Sequence, residues 1–327
     1  MKLEYSIIIP VKSINDYVRE TVGHILNLNS PNWELFIIPN HEEKSEWSDT
    51  RVKVISSGRV GPGRKRDLGA TIANGQVLVF LDDDSYPASN LLDVAEKYFV
   101  NDDVVAIGGP GITPPSDGFW QRVSGAAFLS KFSGGTPERY LSIGIEKEVD
   151  DWPSVNLMVK KEDFLKVGGF NTDFWPGEDT KLCLDLITKT SKKIIYVPNL
   201  IVWHHRRAGF LAHLKQVGAY GLHRGYFAKK YPKTSLRLKY FAPSVIFLML
   251  INSVLYSFLP TLLQTIFVSL WILYGFSLLV VYFQIRRYET ISVSLVCMIY
   301  VFCSHVNYGF NFLKGLLLTK NLASRLR

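Results

Sequence analysis

Between residues 5 and 108 the chain alternates two kinds of apolar pattern. Short unbroken runs occur at "YSIII" (5–9), "WELFII" (33–38), "VKVI" (52–55), "VLVFL" (77–81) and "DVVAIG" (103–108). Stretches with helical spacing lie between them at 16–28, 63–74 and 88–99. Continuous apolar strands separated by helices predict an α/β domain: a mostly parallel sheet covered on both faces. Ligands of such sheets bind outside the carboxyl ends of the strands. Residues 109–155 are rich in Gly, Pro and Ser and read as long loops, a candidate cover over that crevice. "KKEDFLKVGGF" (160–170) reads as a short helix closed by glycine. "GEDTKLCLDLITKT" (177–190) reads as a helix with Glu178 and Asp179 in its first turn, where the helix dipole favours anions. "KKIIYVP" (192–198) and "LIVWHH" (200–205) read as two late strands.

The pattern changes after residue 205. Residues 206–240 hold nine Lys/Arg and no acid, interleaved with Phe, Leu, Tyr and His. They predict a basic amphipathic helix at a bilayer surface. Three hydrophobic stretches follow, at 241–259, 261–283 and 291–313. A span needs about 20 apolar residues, and all three qualify. Only Pro260 separates the first two, which predicts a tight hairpin that returns Arg286 and Arg287 to the cytoplasm. The third leaves two readings open, a full crossing and a re-entrant or interfacial helix. A crossing would export Lys314, Lys320, Arg325 and Arg327, and the stretch contains His305, Asn307 and Asn311. The expected organisation is a catalytic domain at 1–205, an interfacial segment at 206–240 and a membrane region at 241–327. "MKLEYSIIIPVKS" is too short and too quickly polar for a signal peptide, so the first domain is expected in the cytoplasm.

Charge sharpens this division. The chain carries +8 overall, yet residues 1–185 hold 28 acids against 19 Lys/Arg, a net −9. Residues 186–327 hold one acid, Glu289, against 18 Lys/Arg, a net +17. Basic residues leading into apolar segments point to anionic headgroups; no nucleic-acid motif accompanies them, so no nucleic-acid partner is expected. Cys183, Cys297 and Cys303 have no metal-ligand spacing and fit a reducing compartment.

Candidate chemistry begins where the fourth apolar run ends in Asp82, Asp83 and Asp84. Asp82 and Asp84, one residue apart, can both face one divalent cation, because hard cations take oxygen ligands. A solvated acidic turn is the plain alternative. Glu178 and Asp179 fit either a helix cap or a general base, which needs a carboxylate within reach of a hydroxyl. In "VWHHRR" (202–207) neighbouring strand residues face opposite ways, so one histidine faces the crevice. His204 is the candidate metal ligand. Arg206 and Arg207 are candidates for a diphosphate contact or for membrane-surface charge.

Together these elements resemble the family-two glycosyltransferases, which have the GT-A fold. The resemblance rests on "SIIIPVKSINDYVRETV" (6–22), "GPGRKRDLGATIANGQVLVFLDDDSYP" (61–87), "GGFNTDFWPGEDTKLCLDL" (168–186), "VWHHRR" and "QVGAYGLHRGYF" (216–227). The last two, with the hydrophobic tail, are more similar to membrane-bound enzymes of surface polysaccharide or glycan assembly. The resemblance implies that Asp82 and Asp84 form the D-x-D motif holding a nucleotide-sugar donor and its Mn2+ or Mg2+, with Asp84 the direct ligand and Asp83 on the donor side. It implies that Asp179 is the catalytic base with Glu178 its neighbour, and that His204 is the metal-binding His of some members. Pro10 begins the first nucleotide-binding loop, and Arg64, Lys65, Arg66 and Asp67 lie where members contact nucleoside and phosphate. "DDWPSVNLMV" (150–159), with Asp151 and Asn156, corresponds to the acceptor side, although Asp150 and Asp151 also read as a solvated turn.

Two departures matter. Members commonly carry an acidic D-D-G-S segment after the second strand; this chain has "FIIPNHEEKSEW", where Asn40 or Glu42 is the substitute candidate. The Q-x-x-R-W motif of processive synthases is absent, which favours transfer of one sugar. The expectation is an inverting, metal-dependent glycosyltransferase, multi-pass in the cell membrane, moving a single sugar from a nucleotide-sugar to a lipid-linked acceptor in polysaccharide or glycan biosynthesis. A polyprenyl-phosphate sugar synthase, in which a phosphate oxygen attacks without a strong base, is the nearer alternative. A non-catalytic scaffold or transport subunit is the other, and the full set of acids and His argues against it.

Overall fold

A computed structural model describes residues 4–172 and 174–322. The strands are β1 (Tyr5–Pro10), β2 (Trp33–Ile38), β3 (Val52–Val54), β4 (Val77–Phe80), β5 (Ser85–Pro87), β6 (Val104–Gly108), β7 (Gly111–Ile112), β8 (Lys147–Val149), β9 (Leu157–Lys160), β10 (Lys193–Tyr196) and β11 (Val202–His204). The helices are α1 (Asp16–Leu26), α2 (Pro62–Ile72), α3 (Leu91–Phe99), α4 (Phe119–Ala126), α5 (Lys161–Val167), α6 (Glu178–Thr190), α7 (Phe210–Lys230), α8 (Pro232–Ser235), α9 (Leu238–Asn252), α10 (Thr261–Ile285) and α11 (Ile291–Leu313). The chain forms two compact units. One comprises the described residues up to Pro114 together with Leu141–His205; the other comprises Pro115–Tyr140 and Arg206–Leu322. Residues 115–140, which the sequence assigned to the first domain, thus pack within the second unit.

The first unit is built on an eight-stranded sheet in the order β3-β2-β1-β4-β9-β6-β10-β8. The pairs β1–β2, β1–β4, β2–β3 and β6–β10 are parallel, as the unbroken apolar runs require; β9 and β8 run against their neighbours. Successive strand residues face opposite sides. Ile7, Ile9, Leu35, Ile37, Val77 and Val79 accordingly pack with Val18, Val22 and Ile25 of α1 and with Leu92 and Ala95 of α3. Ile8, Phe36, Ile38, Leu78 and Phe80 pack with Ala70 of α2, Phe164 of α5 and Leu182 and Leu186 of α6. That two-sided burial is why these strands show no polar alternation. At Gly69 a Cβ would lie 2.7 Å from Ile8, so only glycine lets α2 lie this close to β1. A small second sheet, β5-β11-β7, completes the unit.

Two elements differ from the sequence reading. Residues 157–159, the end of the stretch 150–159, and Lys160, read as opening a helix, together form β9, a strand between β4 and β6. The loop-rich stretch 109–155 contains the helix α4 as well as β7 and β8.

In the second unit α11 lies between α7 and α9. Cβ atoms on Gly221 and Gly225 of α7 would fall 2.6 and 2.0 Å from the Tyr308 and Phe312 carbonyl oxygens, so these glycines set a close α7–α11 approach. A Cβ on Gly309 of α11 would fall 2.2 Å from the Pro243 carbonyl oxygen of α9. Three helical segments, Leu238–Phe258, Thr261–Ile285 and Ile291–Leu318, are long and apolar enough to cross a membrane. The polar residues of the third face inward. Asn307 donates to the Leu214 carbonyl oxygen at 2.7 Å, His305 Nδ1 meets the Tyr274 hydroxyl at 2.9 Å, and Ser304 meets His213 at 2.9 Å. They serve helix packing, so their presence does not set this segment apart as too polar to span.

Candidate active site

The acids of the first unit converge through strand register. β4 ends at Phe80, and Asp82–Asp84 make the turn into β5. Ser85 closes that turn: its Oγ donates to the Asp82 carbonyl oxygen at 2.9 Å and accepts from the Asp82 amide at 3.1 Å. β5 then pairs antiparallel with β11, setting His204 opposite Ser85. This brings His204 Nε2 to 3.1 Å from Asp84 Oδ1. One ligand atom from each of Asp82, Asp84 and His204 lies within 4.8 Å of the others. Two carboxylates and an imidazole fit a divalent cation. His205 points the other way, to Glu20 at 2.9 Å and the Tyr17 ring. The alternation expected of a strand thus assigns the two histidines to different tasks.

Arg66 links the acids. Its side chain is 3% exposed and reaches Asp82 Oδ1 at 2.5 Å and Glu178 Oε1 at 3.4 Å. The Phe170 ring lies 5.5 Å from the guanidinium. α6 starts at Gly177, whose φ of 112° suits only glycine, and presents Glu178 and Asp179 in its first turn. Burial, then the neighbouring Asp179 charge, push the Glu178 carboxyl above the usual carboxylate range, against the opposing pull of Arg66. Burial, followed by the charges of Asp84 and Asp82, raises Asp83 to about 7. The Asn15 side chain hydrogen-bonds Asp83 while also capping α1 at the Val18 amide.

Lys65 is buried and donates to the Val11 and Ile38 carbonyl oxygens and to Asn40 Oδ1. It ties together the chain leaving β1 and β2, and burial lowers it to about 8. Asn40, read as a nucleotide contact, is thus the acceptor for Lys65. Asp67 accepts from the Phe170 and Asn171 amides at 2.8 and 3.0 Å, and Asp151 accepts from the Thr180 hydroxyl at 3.0 Å. Asn156 donates to the Pro110 and Leu200 carbonyl oxygens at 3.1 and 2.7 Å. Pro10 closes β1 and Arg64 is exposed on α2. Arg206 and Arg207 belong to the second unit, where the Arg206 amide donates to Asp117 at 3.1 Å and its guanidinium lies 5.0 Å from the Tyr140 ring. Sequence reasoning did not single out Ser85 or Asn15; the first was legible as the polar residue following "DDD", the second as a helix cap.

Residues 6–160 match the model of "Glycosyl transferase family 2". Over this stretch the chain is similar to the family 2 glycosyltransferases. "Glycosyltransferase GlyG" of Streptococcus pneumoniae is 23% identical over 62% of this glycosyltransferase and 71% of that relative. A Methanococcus voltae protein is 22% identical over 95% of this chain and 97% of its own. It bears the name dolichyl N-acetyl-alpha-D-glucosaminyl phosphate 3-beta-D-2,3-diacetamido-2,3-dideoxy-beta-D-glucuronosyltransferase. Among solved structures, a mannosyltransferase of Pyrobaculum calidifontis in complex with GDP-Man and Mn2+ superposes with a TM-score of 0.57 at 15% identity. That match covers 97% of this glycosyltransferase and 88% of the other, and it supports the GT-A fold of the first unit.

Proposed function

We propose that this glycosyltransferase moves one sugar from a nucleotide-sugar to a lipid-linked acceptor at a membrane, with inversion and with a divalent cation. The observation that carries the reading is the Asp82–Asp84–His204 cluster, joined through Arg66 to Glu178 at the mouth of α6. When bound there, the cation would neutralise the nucleoside diphosphate as it departs. Mn2+ is the first choice, on the Mn2+ bound by the Pyrobaculum mannosyltransferase.

The protein's own residues supply the rest. A carboxyl raised by its surroundings stays protonated where an ordinary one ionises. Burial and the Asp179 charge thus make Glu178 hold its proton more readily than an ordinary carboxylate, against the pull of Arg66. Asp179 accepts the proton of the acceptor hydroxyl as that oxygen attacks the anomeric carbon from the face opposite the leaving diphosphate. Asp83 and Arg66 complete the donor side. The acceptor class rests on the three apolar helices and on the dolichyl phosphate-linked sugar in the name of the Methanococcus relative. A multi-pass protein with this catalytic unit in the cytoplasm follows from the same reading.

The test uses full-length enzyme in detergent, a panel of UDP-, GDP- and dTDP-sugars, Mn2+, and polyprenyl phosphates with and without a first sugar. Nucleoside diphosphate release should require Mn2+ and a sugar-bearing acceptor, and NMR of the product should show inversion. Asp179→Asn should lose about 10^2–10^4 in turnover, the usual contribution of a general base, with donor affinity kept. Full turnover by that variant on a bare polyprenyl phosphate would instead indicate attack by a phosphate oxygen, the synthase chemistry.

A further inference from the structure

In the second unit, the turn from α10 to α11 lies beside α4 around an open cavity of about 730 Å3. Arg122, Arg286, Arg287 and Glu289 line it, with Ile291 and Leu295 on its apolar side. Glu289 is the only acid after Asp185, and it is already engaged. Arg122 holds its carboxylate with Nε at 3.1 Å and Nη2 at 2.5 Å. Arg286 donates instead to the Glu289 main-chain oxygen at 2.7 Å. Arg122 is therefore neutralised, and Arg286 and Arg287, both exposed, leave the cavity with two positive charges.

The surroundings indicate where such a cavity would lie. Arg286 ends the 25-residue apolar helix α10, and Ile291 begins α11. Ile291 and Leu295 are each more than half exposed. On α4, next to Arg122, Phe119 and Trp120 form an edge-to-face pair 5.1 Å apart, and Trp120 is 52% exposed. Exposed Trp and cations at the ends of spanning helices mark headgroup depth. Paired arginines bind phosphate through planar, charge-assisted hydrogen bonds.

We propose that this cavity binds the phosphodiester headgroup of an anionic bilayer phospholipid, with Arg286 and Arg287 on the phosphate and Ile291 and Leu295 along the upper acyl chain. Glu289 is a positioning residue that fixes Arg122 and the turn. The occupant is a bulk lipid because the charged groups are exposed at the rim of an open cavity, which suits an exchangeable headgroup.

The experiment is native mass spectrometry of the full-length protein with phosphatidylglycerol or phosphatidylcholine added in equal amounts. The protein should retain phosphatidylglycerol in preference. Each arginine at a bilayer surface contributes roughly a 5-fold preference, so R286Q/R287Q should reduce it by about 30-fold. R286K/R287K should keep at least part of it, which separates lost charge from lost folding. Equal retention of both lipids by the wild-type protein, or unchanged preference in R286Q/R287Q, overturns the proposal. Displacement of phosphatidylglycerol by millimolar inorganic phosphate, or a stronger preference for polyprenyl phosphate, would also overturn it by naming a different occupant.

Discussion

Replacing Arg66 by methionine removes a guanidinium that is 3% exposed and paired to Asp82 at 2.5 Å and to Glu178 at 3.4 Å. The two acids respond differently. Asp82 is 32% exposed and recovers much of its solvation from water, whereas Glu178 is 7% exposed and cannot. Removing one partner of a buried pair costs about 3–5 kcal/mol, and protonation of Glu178 relieves part of that, so about 3 kcal/mol is expected. For a domain of 150–250 residues this lowers Tm by about 6–12 °C. The sign with pH follows from linkage. A carboxyl whose folded pKa lies above its unfolded value binds its proton more tightly when folded. Its contribution therefore worsens as pH rises from the unfolded value through the folded one. Burial and Asp179 already raise Glu178, and loss of Arg66 removes the pull that opposed them. The Arg66→Met defect should be smaller at pH 5.5 than at pH 8, and Glu178→Gln should restore stability in the Arg66→Met background. Urea unfolding of the full-length protein in detergent, followed by tryptophan fluorescence, reads all four variants of the cycle. A loss below about 1 kcal/mol, or a loss that Glu178→Gln deepens, would refute the role given to Arg66.

The cation site and the sheet edge give two more tests. Asp84→Ala and His204→Ala should each weaken Mn2+-dependent donor binding by roughly 10- to 100-fold or more, since even groups that only orient metal ligands are worth that much. Calorimetric titration with and without EDTA measures it, and unchanged Mn2+ affinity in both variants would remove the cluster from the donor site. Glu34 on β2 accepts from the Ser6 hydroxyl and Lys53 at 2.8 Å and from the Asn74 amide at 2.6 Å. Burial alone would raise its pKa, but the bonds from Lys53, Asn74 and Ser6 outweigh it and bring the carboxyl down to about 2. Because the folded pKa is depressed, this stabilisation is present above about pH 4.5 and fades as pH falls toward about 2. Glu34→Gln should therefore cost about 1–2 kcal/mol at pH 7 after allowance for solvent screening, and progressively less in acid. A pH-independent loss would contradict the assignment.

What the sequence disclosed depended on how far apart the deciding partners are. β1, β2, β4 and β6 are mostly apolar because helices cover both faces, and that composition is visible locally. β9 is as buried, yet "LMVK" joins directly to a helical pattern, and only pairing with β4 and β6 makes it a strand. No periodicity within residues 150–170 carries that information. α4 is only eight residues long, set in a Gly- and Ser-rich stretch, too short to show a helical stripe. In the site, the acids were legible because three adjacent carboxylates at a strand end are electrostatically costly without a counter-charge. His204 was legible from the period of a strand. The difference between Lys65 and Arg66 was not. Successive residues on a helix point about 100° apart. One turns to the carbonyl oxygens beyond β1 and β2 and the other to the acids. Which does which depends on how α2 is rotated against the sheet, and the close approach at Gly69 fixes that rotation. The same holds for the cation cluster. His204, the third candidate ligand, reaches Asp84 because β11 pairs with β5 in a register that sets His204 against Ser85. A slip of one residue would turn His205 toward the acids and His204 toward Glu20, exchanging a candidate ligand for a packing contact.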